Sequence, residues 1–348
     1  MPMKWVFLKG QEVFPMHREQ WDALNSSIHN HILLDSDFWI PLVRLFGHDE
    51  LYLGISDSRE YPGMILVEQV GSGQWRTFQP AQAPLGPMLL ANPENVEVQL
   101  RVLLRSLPGL ALSMGITQQD PDYSVLRQSH NGSKLEFLDY ITTPRISVFD
   151  TFEVYWKARG KDLVGNLARR RKRLNEQGVK VSLSVDRTAQ GVPEGVHVYG
   201  EFESSGWKGA EGSAVRSSNA QGEFYRDMLA RFCKRGEGVI YQLFMGDQPI
   251  ASNLCVERNG MLILLKTAYN EEYKKLSPSY MMLEDMLKQL FAEKNVQVLE
   301  FYGRAKEWHK KWASEERTMY HVNYYRNAIV SQTRKVLKTQ RLWSGKKG

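Results

Sequence analysis

A chain of 348 residues, 42% of them hydrophobic, exceeds an ordinary single domain and carries enough apolar material for two cores. No apolar run approaches the roughly 18 residues of a membrane span. The opening patch Trp5-Val6-Phe7-Leu8 is too short for a signal-peptide core, and the only cysteines, Cys233 and Cys255, lack partners at metal-ligand spacing. A membrane span, a disulfide framework and a metal site are therefore not expected, and a cytoplasmic address is. The net charge of +6 is uneven: residues 1–150 hold 11 Lys and Arg against 17 Asp and Glu, while residues 151–348 hold 34 against 22. So basic a second half points to an anionic ligand there, whether nucleic acid, a membrane surface or a phosphate-bearing cofactor.

Taken in chain order, residues 50–55 and 64–68 read as strands around the turn signal Pro62-Gly63, and residues 80–93 as an irregular loop. A helix is predicted over 93–107, stopped by Pro108-Gly109, and a strand over 111–115. Residues 152–177 read as a long basic helix or helix pair ending at Gly178, and 179–185 alternates as a half-buried strand. Helices are expected at 196–203 and 221–235. Three strands follow, at 238–245, 250–257 and 261–268, with Gly246-Asp247 and Asn259-Gly260 as hairpin turns. A helix over 279–294, a strand over 296–302 and a helical stretch from about Asn323 complete the chain. His29-Asn30-His31 has no ligand-spaced companion and reads as a surface loop. The order of elements predicts an α/β fold in two domains, 1–150 and 151–348.

Three segments hold residues of chemical interest. Between the third strand and the following helix, Lys266 to Tyr280 places Lys274 and Lys275 before a helix opening near Pro278, where free N–H groups and the positive dipole end suit a phosphate. In Ser205-Gly206-Trp207-Lys208-Gly209, Trp207 is a candidate to stack on a ligand and Lys208 to pair an anion. At the end of the last strand, Tyr302 is a candidate proton donor to a leaving thiolate and Glu300 a candidate acceptor through water, with Arg304 beside them. Arg169 to Arg173 could meet the phosphates of tRNA or DNA, but arginines on successive positions face all round a helix, so the run reads as a solvated helix or one covering the acidic N-terminal domain.

These pieces, in this order, carry a family likeness. Arg169 to Leu174 before Gly178, Ser205 to Gly209, Phe224-Tyr225, Gly246 with Pro249-Ile250-Ala251, Tyr269-Asn270, Ser277-Pro278 and Phe301-Tyr302-Gly303-Arg304 with Trp312 make residues 155–325 resemble the GNAT superfamily acetyltransferases of the CelD type. They are more distantly similar to Fem-type peptidoglycan transferases. The resemblance implies tandem GNAT-like domains, each a mixed, mostly antiparallel sheet flanked by helices, with the first degenerate and the acyl-CoA site in the second. It implies acetyl-CoA or another acyl-CoA as cosubstrate, no metal, and a small-molecule or envelope-precursor amine as acceptor, in polysaccharide or envelope biosynthesis. The cofactor would lie on Lys274, Lys275, Ser277, Ser279 and Tyr280; Trp207, Lys208 and Arg304 would meet the substrate; and Glu203, Glu300 and Tyr302 are the candidate catalytic residues. This chain has Ser277-Pro278-Ser279 where the family carries Ser-Pro-Gly, and lacks the Arg/Gln-x-x-Gly-x-Gly/Ala loop. Two alternatives stand beside this reading: a Fem-like transferase fed by aminoacyl-tRNA, the one case in which nucleic acid is expected as a partner, and a non-catalytic binding module.

Overall fold

The computed structural model describes residues 3–127, 134–205, 215–216 and 218–332. The chain divides into two compact units, residues 1–141 with 318–348, and residues 142–317. The expected division at 150 gave the C-terminal segment wholly to the second domain. Strand pairing with the first unit is what draws residues from 318 onward back to it.

The first unit begins with β1 (Trp5–Lys9) and the helices α1 (Val13–Met16), α2 (Arg18–Ile28) and α3 (Ser36–Phe46). The strands β2 (Leu51–Ser56), β3 (Gly63–Gly71), β4 (Gln74–Thr77) and β5 (Met88–Leu90) follow, then α4 (Val96–Ser106) and β6 (Ser113–Gln119). β3 reads Gly-Met-Ile-Leu-Val-Glu, buried at all six positions, as a central strand covered on both faces should be. α3 starts where the Asp35 carboxylate accepts from the Asp37 amide at 2.8 Å. Its Pro41, which lacks an N–H, hides the helix from a reading of the sequence. His31 is buried rather than on a surface loop: Asn30 turns the chain at φ +47°, and the His31 ring packs 4.6 Å from that of Tyr123.

β7 (Leu135–Ser147) follows, and α5 (Phe152–Lys157) and α6 (Lys161–Glu176) are the expected helix pair. Then come β8 (Val181–Asp186), α7 (Val192–Ser205), α8 (Ala220–Lys234), β9 (Gly238–Met245), β10 (Gln248–Arg258) and β11 (Met261–Tyr269). A 3-10 helix (Glu271–Leu276), α9 (Pro278–Glu293), β12 (Val298–Glu300), α10 (Glu307–Lys310) and β13 (Glu315–Tyr325) complete the described elements. The helical stretch expected from Asn323 is instead the end of β13. Alternation of Tyr320, Val322 and Tyr324 buries one face of a strand, and helix resumes only at 328. The strand expected over 296–302 stops at Glu300, because Tyr302 takes φ +47°.

Within the second unit the strand order is β8-β9-β10-β11-β12-β7; all neighbours are antiparallel except β11 and β12, which are parallel. The first unit repeats the pattern as β1-β2-β3-β4-β6-β13, with its one parallel pair at β4 and β6. Each unit is thus a mixed, mostly antiparallel sheet with helices. In the second unit Val239, Tyr241 and Leu243 of β9 join a core with α6 and α9. The alternate residue Ile240 meets α7, where Gly195 has no room for a Cβ, which would lie 2.5 Å from Ile240 Cδ1. Cys233 and Cys255 are both free and buried, and burial pushes the Cys233 thiol up to about 11, which makes it inert.

Candidate active site

Two irregularities in β11 open a cleft. Opposite β10, Leu254 faces Lys266 but Cys255 faces Leu264, so Leu265 is an extra residue and the strand bulges there. Opposite β12 the pairing covers only Met261 to Ile263, since β12 ends at Glu300. From Leu264 to Tyr269 the β12-facing edge of β11 therefore has no strand partner among the described residues, and its backbone N–H and C=O groups stand at a parting of two parallel strands. The cleft formed there holds about 990 Å³ of empty space, including its open mouth. Its lining comes from both helical layers: Phe202 and Glu203 of α7 from one, Ser279, Tyr280 and Leu283 of α9 from the other, with Thr267 to Tyr269 and Trp308 between.

Glu203 is 6% exposed, and a carboxylate so buried needs donors. Tyr199 Oη donates to its Oε1 at 2.9 Å, the Val215 amide to its Oε2 at 2.7 Å, and Lys266 Nζ lies 3.9 Å from Oε1. The segment at Val215 comes this close because Gly200 has no side chain: a Cβ there would sit 2.9 Å from the Val215 carbonyl oxygen. Burial lowers the Lys266 ammonium, with Glu203 pulling the other way, and its Nζ stands 5.5 Å from the Tyr225 ring centre. Burial, reinforced by Glu203, holds the Tyr199 phenol well above its ordinary value. Asn253 lines the floor, and its buried Oδ1 has no hydrogen-bond partner among the described residues.

The start of α9 divides this cleft from a second one. Ser277 caps the helix at φ +55°, its backbone oxygen accepting from the Tyr280 and Met281 amides at 3.0 and 3.2 Å. On the far side, Lys275 and Leu276 line a cleft with Asn166, Arg169, Arg170, Arg173, Leu174 and Gln177 of α6 and its end. Arg171 points elsewhere on that helix, to Glu284 and Asp285 of α9 at 2.8 and 2.7 Å. Of the residues expected to hold a cofactor, Ser279 and Tyr280 thus face the first cleft and Lys275 the second. Lys274 is exposed and 3.4 Å from Glu271.

Glu300 and Tyr302 are not among the residues lining either cleft. Glu300 is 1% exposed, with Arg317 Nη1 at 2.9 Å and Arg145 Nη1 at 3.7 Å. Tyr302 is buried under the Arg317 guanidinium, 5.1 Å from its ring centre, and Arg304 is exposed in the following loop. Trp207 and Lys208 lie outside the described residues. The sequence reading did not assign Phe202, Asn253, Tyr269 or Trp308 to the site; a cleft made by a bulge leaves no periodic signal.

Trp308 reaches the cleft from α10, stacked on His309 with ring centres 3.6 Å apart. His309 Nδ1 accepts the Lys306 amide at 3.0 Å, and burial, aided by Lys306, pushes its imidazole down to about 4. The unfolded chain holds that proton up to about pH 6.5 and the folded one releases it above about 4, so this contribution is complete above pH 6.5 and is lost as pH falls towards 4. Urea unfolding should show up to about 3 kcal/mol of stability disappearing across that window, and His309→Gln should flatten that part of the profile. An identical profile in the variant would assign the acid sensitivity to carboxylates.

The site is thus a bulged, parted strand pair with a helix opening beside it and helices on both faces. Residues 161–311 match the family model described as an acetyltransferase (GNAT) domain, and the α/β layout of this part of the chain is the GNAT fold. Among solved structures, the chain resembles the C-terminal domain of a putative lysylphosphatidylglycerol synthetase from Agrobacterium fabrum, with a TM-score of 0.56 at 10% identity over 93% of this chain and 95% of that one. L-PGS from Bacillus licheniformis gives 0.54 at 14% identity, over 90% and 95%. FemX gives 0.56 at 11% identity, over 91% and 98%. At these identities the likeness is one of fold, and it extends to the expected Fem-type relatives. No curated protein gives a significant match to the sequence. No helix among the described residues is long and apolar enough to cross a membrane.

Proposed function

We propose that the protein is an acyl-CoA-dependent N-acyltransferase, acetyl being the default acyl group, and that it belongs with the CelD-type branch. The observation that carries this reading is the unpaired edge of β11 from Leu264 to Tyr269, set in a cleft beside a buried carboxylate. An extended thioester arm with amide groups can add to that edge as a further strand would, its amides meeting the free N–H and C=O groups. A strand N–H there polarises the thioester carbonyl and stabilises the oxyanion that forms when an amine attacks.

The amine must be neutral to attack. Glu203, fixed by Tyr199 and the Val215 amide, accepts the proton that the amine nitrogen sheds as the new C–N bond forms. As the C–S bond breaks, the departing thiolate needs a proton. Tyr280 lines the cleft, and burial raises its phenol so that it is protonated at neutral pH and able to donate. We assign the acid role to Tyr280 in preference to Tyr302, and the base role to Glu203 in preference to Glu300, because only the first of each pair lines the cleft. Phe202, Tyr269 and Trp308 give the acceptor end an aromatic wall suited to a small-molecule or envelope-precursor amine.

Calorimetric titration with acetyl-CoA, followed by thiol release on adding primary amines, tests the reading. Saturable binding and amine-dependent release are expected. Absence of binding at millimolar donor, with transfer from aminoacyl-tRNA in its place, would replace it with the Fem-like alternative.

A further inference from the structure

The second cleft is the least explained feature of the molecule. Arg169, Arg170 and Arg173 of α6 and Lys275 of the 3-10 helix converge on it, and among the described residues none of the four has a carboxylate within 4.0 Å. The neighbouring cations are neutralised: Arg171 by Glu284 and Asp285, Lys172 by Glu176 at 3.8 Å, Lys274 by Glu271. Four unpaired positive charges drawn from two elements into one concavity repel one another, and an anion placed among them removes that cost. Arg169 is also partly oriented, its Nη2 donating to Asn166 Oδ1 at 2.5 Å.

The backbone beside it cannot do this work. Pro278 has no N–H; the Ser277 amide donates to Lys274 O, and the Tyr280 and Met281 amides to Ser277 O. Of residues 277–281 only Ser279 keeps an amide not used in a backbone bond, where a diphosphate would need several. Recognition of phosphate at this helix start therefore falls to side chains, and guanidinium groups suit it because each offers paired donors to two oxygens. The two clefts lie on either side of the start of α9. Tyr280 lines the first, and Arg170, which lines the second, is near enough to pull its phenol downward.

We propose that Arg169, Arg170, Arg173 and Lys275 form a side-chain clamp for the phosphates of the donor's nucleotide end, so that one thioester donor spans both clefts with its phosphates in the basic cleft and its acyl group beside Glu203. This rests on the acyl-CoA reading above. It names the part of the protein that selects a donor with several phosphates, and it moves phosphate recognition from the helix backbone to α6.

The test titrates coenzyme A and, separately, inorganic pyrophosphate into the full chain, the Arg170→Glu/Arg173→Glu variant and the milder Arg170→Gln/Arg173→Gln variant. Each is measured at low and high salt, with thermal melting as a check on folding. The wild type should bind both probes in a salt-sensitive way, and the Glu variant should bind coenzyme A at least about tenfold more weakly, the Gln variant falling between. Glu203→Gln should leave coenzyme A affinity unchanged. Equal affinity for coenzyme A in all three proteins would overturn the clamp while leaving the donor reading intact. If the wild type binds no coenzyme A, the donor reading fails, and the pyrophosphate arm still decides the clamp: loss of pyrophosphate binding in the Glu variant supports it. No pyrophosphate binding by the wild type, or capture of tRNA alone, overturns it.

Discussion

Glu203→Gln is expected to lower kcat for amine acylation by about 10²- to 10⁴-fold while leaving the affinity for coenzyme A unchanged. Glutamine keeps the volume, its oxygen still accepts from the Val215 amide and its NH2 can donate to the Tyr199 hydroxyl, so the fold of the cleft persists and the proton acceptor alone is lost. The amine then reaches its tetrahedral adduct still protonated, and C–S cleavage must wait for water to remove that proton. Stopped-time thiol release across amine concentrations reads the effect as a fall in kcat with little change in the donor KM. If kcat is unaltered, the base lies elsewhere in the cleft, and the Lys266–Glu203 pair is a structural one.

The second large effect falls on stability. Glu300→Ala should cost about 3–5 kcal/mol in urea unfolding, because it strips the carboxylate from Arg145 and from the better-buried Arg317, whose side chain is 9% exposed and which loses a contact at 2.9 Å. Arg145 has a second anion, Glu315 at 2.8 Å, and is spared the full penalty. Arg317 also covers Tyr302, so the turn that ends β12 and opens the cleft should loosen with it. Replacing Glu300 and Arg317 together by apolar residues of similar volume should recover much of the loss. A variant that unfolds like wild type but has no activity would instead restore Glu300 as a catalytic candidate.

The second unit was legible where burial follows a period. β9, β10, β11 and α9 were read to within two or three residues of their ends, because their apolar runs are bounded by Gly246-Asp247, Asn259-Gly260 and Pro278. α3 was not seen, since Pro41 sits in its interior. β7 was missed because its middle, Phe137 to Thr142, is half-buried or exposed, with a burial pattern that never settles into alternation. In the site, Glu203, Ser279, Tyr280 and Lys275 could be named because they sit in segments with turn or cap chemistry. That Glu203 reaches a cleft while Glu300 does not depends on a one-residue bulge at Leu265 and on where β12 stops, and tertiary pairing decides both. The arginines of α6 looked like a solvated face since successive helical positions point all round; only the position of Lys275 distinguishes those that converge.

The sixth strand of the first unit, β13, reaches it after the whole of the second unit has been made. During synthesis the chain therefore completes its later-encoded body before its earlier one. Until β13 docks, β6 presents bare amides and carbonyls to whatever is near, and Glu136 waits for the Tyr325 hydroxyl, 2.5 Å away once the strand arrives. A nascent chain released before residue 318 should hold a finished second unit tethered to a sheet that lacks its sixth strand and that chaperones recognise, so residues 318–325 govern whether the first unit becomes protease-resistant.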